Sequence, residues 1–325
     1  MCSSDLENNI YLLQSISSAP GKVILFGEHF VVYGVKAILA TINKRVTVTT
    51  EFIDDEVVII ESDIGRLEIK SGTKIDEIQS PLKPFYHIAN FFIKDSDKGL
   101  KIKIQSDIPV GVGLGSSSAC CVAASASISK LFNENNIEKI LELAIDAERT
   151  IYANTSGADC TAIIHGGVMV YDRNSGFERI ESVPEIDLVI INSKIEHSTE
   201  IMVDKVQKFK KLNESSFKKL CSDEEKLIFD ALELLKNNKI EELGKIVKIN
   251  HAYLKKIGVS NTKLESIVDL ANRISYGAKI TGAGGGGCIY SIIDKANEKQ
   301  IIQEFKENNY ECFPVKIESK GLNTL

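Results

Sequence analysis

Three glycine-rich segments constrain this chain more than any other feature: SAPGKVILFGEHFVVYG (18–34), PVGVGLGSSSA (109–119) and KITGAGGGGC (279–288). One such cluster says only that the backbone turns with positive φ or comes close to something. Three of them, each beside an apolar run of β type, predict one site assembled from distant parts of the chain. Amides exposed at glycine turns suit polyanions, nucleotide phosphates above all. The expectation is a phosphate-handling enzyme.

Composition permits this and removes several rivals. With 325 residues and 43% hydrophobic content the chain can bury a large core, as one big domain or two ordinary ones. The net charge is −6, and its 39 basic and 45 acidic residues are well mixed. No basic face or arm stands out, so no nucleic-acid partner is expected. The opening MCSSDLENNIYLLQ lacks a charged region followed by an apolar core, which predicts no secretion signal. No run approaches the ~18–20 apolar residues of a membrane span. The seven cysteines (2, 120, 121, 160, 221, 288, 312) show no CxxC spacing, which predicts reduced thiols in a cytoplasmic protein. Packing is the better reading even for Cys160.

The pattern of elements is α+β. Val- and Ile-rich runs predict strands at Lys22–Phe26, Val46–Phe52, Val57–Glu61, Leu100–Gln105, Ile163–Tyr171, Ile186–Ile191, Cys288–Ile293 and Phe313–Ile317. Helical periodicity covers 117–133, 137–152, 200–213, 215–236, 239–256, 262–276 and 295–308. Strands crowd the first third and helices the stretch from 200 to 276, unlike the regular alternation of a doubly wound fold. The polar segment YDRNSGFERIESVPEID places a boundary near 172–186.

The middle segment is the sharpest physically. Gly111, Gly113 and Gly115 let backbone wrap an anion, and Ser116, Ser117 and Ser118 open an alanine-rich helix whose first turn offers free amides and a positive dipole end. A serine hydroxyl there can ligate Mg²⁺. A plain turn before a tightly packed small-residue helix remains the alternative. No Lys-Ser or Lys-Thr closes the run, so this is not a Walker A loop. The third segment formally matches G-x-G-x-x-G, but a strand-like CIYSII follows where a dinucleotide site needs a helix. It reads as a strand–loop–strand near substrate and phosphate, or as a tight hairpin. In the first segment Lys22 starts an apolar strand after a Pro-Gly turn, and Glu28 and His29 follow Gly27 at its far end. A fourth cluster sets Glu148 at a helix end, with Asp159 eleven residues on, past Asn154-Thr-Ser156-Gly157. Two carboxylates so placed could divide the labour between Mg²⁺ and the nucleophile, with helix-end charge and an Asx turn as the plainer readings.

In order and spacing the three glycine segments resemble the signature motifs of the GHMP small-molecule kinases, the family named for galactokinase, homoserine kinase, mevalonate kinase and phosphomevalonate kinase. The resemblance runs from Ser18 to about Tyr290. Within the family, APGKVILFGEHFVVYG is similar to the branch that acts on mevalonate, as is NHAYLKKIGVSNTKLESIV (250–268). The resemblance implies two α+β lobes with the site between them. One is like domain 2 of ribosomal protein S5 (1–178) and binds ATP and Mg²⁺; the other is ferredoxin-like (179–325). A homodimer is the assembly expected.

Position by position, the resemblance gives Lys22 a contact to the substrate oxygen and the reacting phosphate, and Asp159 the role of general base. Ser117 and Glu148 match the Mg²⁺ ligands. Gly113, Leu114, Gly115, Ser116, Ser117 and Ser118 match the phosphate loop. Glu28, His29, Thr199 and the third loop, Gly284, Gly285 and Gly286, match the substrate side. Two positions depart from the pattern: Thr155, where proline is common before Ser-Gly, and Tyr33, where many relatives have histidine. The implied reaction is ATP-dependent phosphorylation of the mevalonate 5-hydroxyl. The rivals are another GHMP acceptor (phosphomevalonate, a sugar or homoserine) and a non-catalytic sensor. The sensor would be expected to lack Lys22, Glu148 or Asp159, and all three are present.

Overall fold

A computed structural model describes residues 14–324, apart from 95–97, 154, 182 and 197. Cys2, Asn154 and the opening residues thus lie outside the described residues. The first lobe runs β1 (Gln14–Phe26), β2 (Ala37–Ile53), β3 (Val57–Ser62), β4 (Gly65–Lys70), α1 (Lys83–Ile93), β5 (Gly99–Ser106), α2 (Ser116–Leu131), α3 (Ile137–Arg149), α4 (Ala158–His165), β6 (Val168–Asp172) and β7 (Gly176–Ile180). The second runs β8 (Asp187–Asn192), α5 (Thr199–Leu212), α6 (Glu214–Lys236), α7 (Ile240–Lys256), α8 (Thr262–Ile274), β9 (Gly277–Ile280), β10 (Cys288–Ile292), α9 (Glu298–Glu307) and β11 (Glu311–Lys316). A final β12 (Asn323–Thr324) returns to the first lobe, beside β1.

The first sheet has the order β12-β1-β2-β5-β3-β4, with β6 and β7 continuing from the other half of β2. Every pairing is antiparallel except β3 with β5. The second sheet is the antiparallel β11-β8-β10-β9, with helices packed against it. This is the two-lobed α+β architecture expected. β7 belongs to the first sheet and ends at Ile180, so a division at 178/179 falls inside it.

Two local features place the site. Helix α2 is lined with buried small residues (Ala119, Ala123, Ala124, Ala126), so it lies close against β1 and β2. Strand β1 slips register against β2 at Pro20/Gly21 and again between Ile24 and Phe26. Such bulges re-aim side chains. The first precedes Lys22, and the second leaves Leu25 without a partner on β2.

One expected strand is wrong in its first half. Ile163–His165 close helix α4, and the strand begins only at Val168, after Gly166-Gly167. Ile163 and Ile164 are buried, and a short apolar run buried on all sides does not distinguish helix from strand.

Candidate active site

The middle glycine loop is built at the head of α2. Gly111, Gly113 and Gly115 have φ of 75°, 83° and 73°, so the chain reverses repeatedly before the helix begins. Gly115 is the N-cap, and no side chain occupies the first-turn amides from that position. The neighbouring carbonyl of Leu114 accepts the Lys22 N–H at 2.9 Å, which ties the loop to β1. A Cβ on Gly115 would lie 2.9 Å from Lys22 Cγ. The glycine therefore makes room for the lysine stem as well as for the turn.

Lys22 ends 3.0 Å from Asp159 Oδ2, with side-chain exposures of 5% and 35%. Asp159 lies in the first turn of α4, where the helix dipole favours a carboxylate. Glu148 arrives from the end of α3 and is buried. Its Oε1 accepts from Ser118 Oγ, while Oε2 accepts from Thr155 Oγ1 at 2.6 Å and from the Cys160 thiol at 3.8 Å. The hydroxyl that reaches Glu148 is thus that of Ser118, with Ser117 half-buried one residue earlier. The threonine at 155 supports Glu148 directly. Burial pushes the Cys160 thiol up, which keeps it protonated and in a packing role.

A buried carboxylate beside helix-head hydroxyls is a hard-oxygen donor set. It fits Mg²⁺, which typically takes one or two protein oxygens together with substrate phosphates. Among the described residues no group of three or more His, Cys, Asp or Glu could hold a metal by itself.

The other side of the site joins the lobes. His29, with φ of 60°, places Nε2 2.8 Å from the Ala283 carbonyl in the third glycine loop. Burial lowers its pKa, which leaves the imidazole neutral at pH 7. The third loop is held from behind: Gly285 N–H donates to Val259 O at 2.7 Å, and Asn261 Nδ2 to Gly285 O at 2.9 Å. Thr199 is the exposed first residue of α5, and Met202 of the same helix covers Gly285. Gly284 lies against Val259 and Gly286 against Ile195. Tyr33 packs edge-on against Phe217 with Lys210 Nζ 4.5 Å from its ring centroid, so it serves the seam between the lobes.

Glu28 turns inward. It is fully buried and pairs with Lys279, which also donates to Leu25 O at 3.1 Å. Lys279, Glu224, Asn250 and Tyr290 were not marked by the sequence reading. Glu224 sits in SDEEKL, which reads as a solvated helix face. Lys279 left a faint signal, as a lone charge in an otherwise apolar short strand.

A glycine loop at a helix head, facing a lysine–aspartate pair with a second carboxylate behind, defines a two-lobed small-molecule phosphotransferase. The comparisons agree. The family models for the GHMP kinases N terminal domain and the GHMP kinases C terminal domain match residues 83–167 and 231–311. The mevalonate kinase of Pyrococcus furiosus is 34% identical over 86% of this chain and 89% of its own. That of Methanocaldococcus jannaschii is 31% identical over 92% and 98%. The crystal structure of L. major mevalonate kinase in complex with R-mevalonate superposes with a TM-score of 0.83 at 27% identity, covering 94% of this chain and 96% of that one. The chain belongs to the GHMP kinases and, within them, to the mevalonate kinase family. Among the described residues no helix is long and apolar enough to cross a membrane.

Proposed function

We propose that the protein transfers the γ-phosphoryl group of ATP to the 5-hydroxyl of mevalonate, giving 5-phosphomevalonate for isoprenoid biosynthesis. The observation that carries this reading is the 3.0 Å Lys22–Asp159 pair at the head of the phosphate loop. Phosphoryl transfer has a loose transition state, so positioning and charge neutralisation supply most of the acceleration. The amides from Gly113 to Ser118 and the α2 dipole stabilise the β-phosphate. Glu148 and the Ser117 hydroxyl would hold Mg²⁺, with Ser118 and Thr155 fixing the Glu148 carboxylate. An ion held there would supply charge neutralisation for the nucleotide phosphates. Lys22 favours the alkoxide form of the substrate oxygen, and Asp159 accepts its proton. His29, Thr199 and the third loop (Gly284–Gly286) bind the mevalonate side. A homodimer is the proposed assembly.

The test is ADP release with Mg-ATP on mevalonate, phosphomevalonate, galactose and homoserine separately, with the product phosphate located by NMR. Turnover on mevalonate giving the 5-phosphate is expected. Turnover confined to another alcohol would reassign the acceptor, and none on any would remove the kinase reading.

A further inference from the structure

The chain after β1 makes an unfavourable turn. Gly27 has φ of 94°, and a Cβ there would lie 2.4 Å from the Lys36 carbonyl. His29 is then held at positive φ (60°, with ψ of −41°), which is costly for a residue with a side chain and persists only when the surroundings impose it. The support comes from the other lobe. Thr281 Oγ1 hydrogen-bonds the Ile24 N–H at 3.0 Å and its carbonyl at 3.1 Å. The Leu25 carbonyl, freed by the bulge, accepts from Lys279 Nζ and from Tyr290 OH. The Gly27 N–H donates to Glu224 Oε1 at 3.0 Å, and Asn250 Nδ2 braces both oxygens of Glu224 at 2.6 Å.

Glu224, Asn250 and Lys279 are all 0% exposed. Burying two carboxylates and one ammonium is poor economy for stability alone, since apolar residues of the same volume commonly do as well. What the charged set supplies and an apolar set cannot is an acceptor for the Gly27 amide and a fixed direction for Glu28. We propose that Glu224, Asn250 and Lys279 are positioning residues that lock the Gly27–Glu28–His29 turn from the opposite lobe, and so set the alcohol-binding side of the site. The proposal rests on the functional reading given above and extends it to residues to which the sequence assigned no role.

The cluster tolerates a proton. One ammonium serves two carboxylates, and among the described residues Asn250 Oδ1 has no hydrogen-bond partner. With the Asn250 amide turned over, that oxygen accepts from a protonated Glu224, while Oε1 keeps the Gly27 N–H. A glutamine at 224 can make the same two contacts; an aspartate, one methylene shorter, cannot reach the amide.

The experiment compares Glu224→Asp and Glu224→Gln with the unaltered protein. Two readouts are used: steady-state kinetics with mevalonate and ATP, and the NMR titration of the His29 imidazole without substrates. For Glu224→Asp the KM for mevalonate should rise about tenfold or more, the size of a lost charge-assisted hydrogen bond, with the KM for ATP changed by less than about twofold. Its His29 midpoint should move up towards the ordinary histidine value as the imidazole loosens. Glu224→Gln should keep both readouts near those of the unaltered protein. An aspartate variant unchanged in both, a rise in the two KM values in step, or a glutamine variant as impaired as the aspartate would overturn the proposal. Should the unaltered protein turn over no mevalonate, the functional reading fails instead, and the His29 titration alone decides the positioning role.

Discussion

Lys22 illustrates how one side chain is prepared by its neighbours. A bulge aims it, the Leu114 carbonyl holds its amide, and Gly115 gives its stem room. Lys22→Met should lower kcat by about 10²–10³, the usual loss for one preorganised electrostatic donor, with the KM for ATP little changed. Steady-state kinetics check this, and an equal loss in both constants would point to nucleotide binding instead. Lys22 and Asp159 stand out in the sequence beside glycine turns, whereas Glu148 is marked only by its place at a helix end and by the family resemblance. Glu224, Asn250 and Lys279 were not legible: each belongs to a helix or strand whose local pattern hides its burial. Their partners are distant in sequence, with 251 residues between Lys279 and Glu28 and 197 between Glu224 and Gly27.

Among the elements, a helix cap fixes the third glycine loop. Asn261 accepts from Lys263 N and Leu264 N as the N-cap of α8, and its amide donates to Gly285 O. Asn261→Ala should therefore cost about 1 kcal/mol of stability, read by denaturant unfolding, and raise the KM for the acceptor as the third loop slackens. An unchanged KM would detach that loop from the acceptor side. Gly115→Ala should cost about 1–2 kcal/mol, since alanine must adopt left-handed backbone there. It should also lower kcat, because its Cβ would sit 2.9 Å from Lys22 Cγ. Activity retained after a loss of stability would separate the turn from the lysine. The expected helices are present with ends shifted by a few residues, but β1 and β2 begin well before the expected Lys22 and Val46, and α1, β4 and β7 were not expected. The helical end 163–165 was misread as strand because burial on all sides erased the period that would separate the two.

Across the whole molecule, the lobes meet along the end of β1 and the turn after it, where Ile24, Leu25, Gly27 and His29 are all held by second-lobe residues. That seam also carries a pH signature. Burial and the charge of Glu28 raise the Glu224 pKa to about 7 from 4.5, against the pull of Lys279 and Asn250. A carboxyl raised in the folded state gives stability that is full below its unfolded pKa and lost as pH rises through its folded one. Between about pH 5 and pH 8 the melting temperature should therefore fall more in the unaltered protein than in Glu224→Gln. Parallel profiles would mean that Glu224 does not titrate in this range. The most direct measurement for the catalytic assignment is the Mg-ATP-dependent phosphorylation of mevalonate by Asp159→Asn, set beside the unaltered protein. A fall in kcat of about 10²–10⁴ with the KM for ATP unchanged is expected of a lost general base. A kcat equal to that of the unaltered protein would contradict the placement of the chemistry at Lys22 and Asp159.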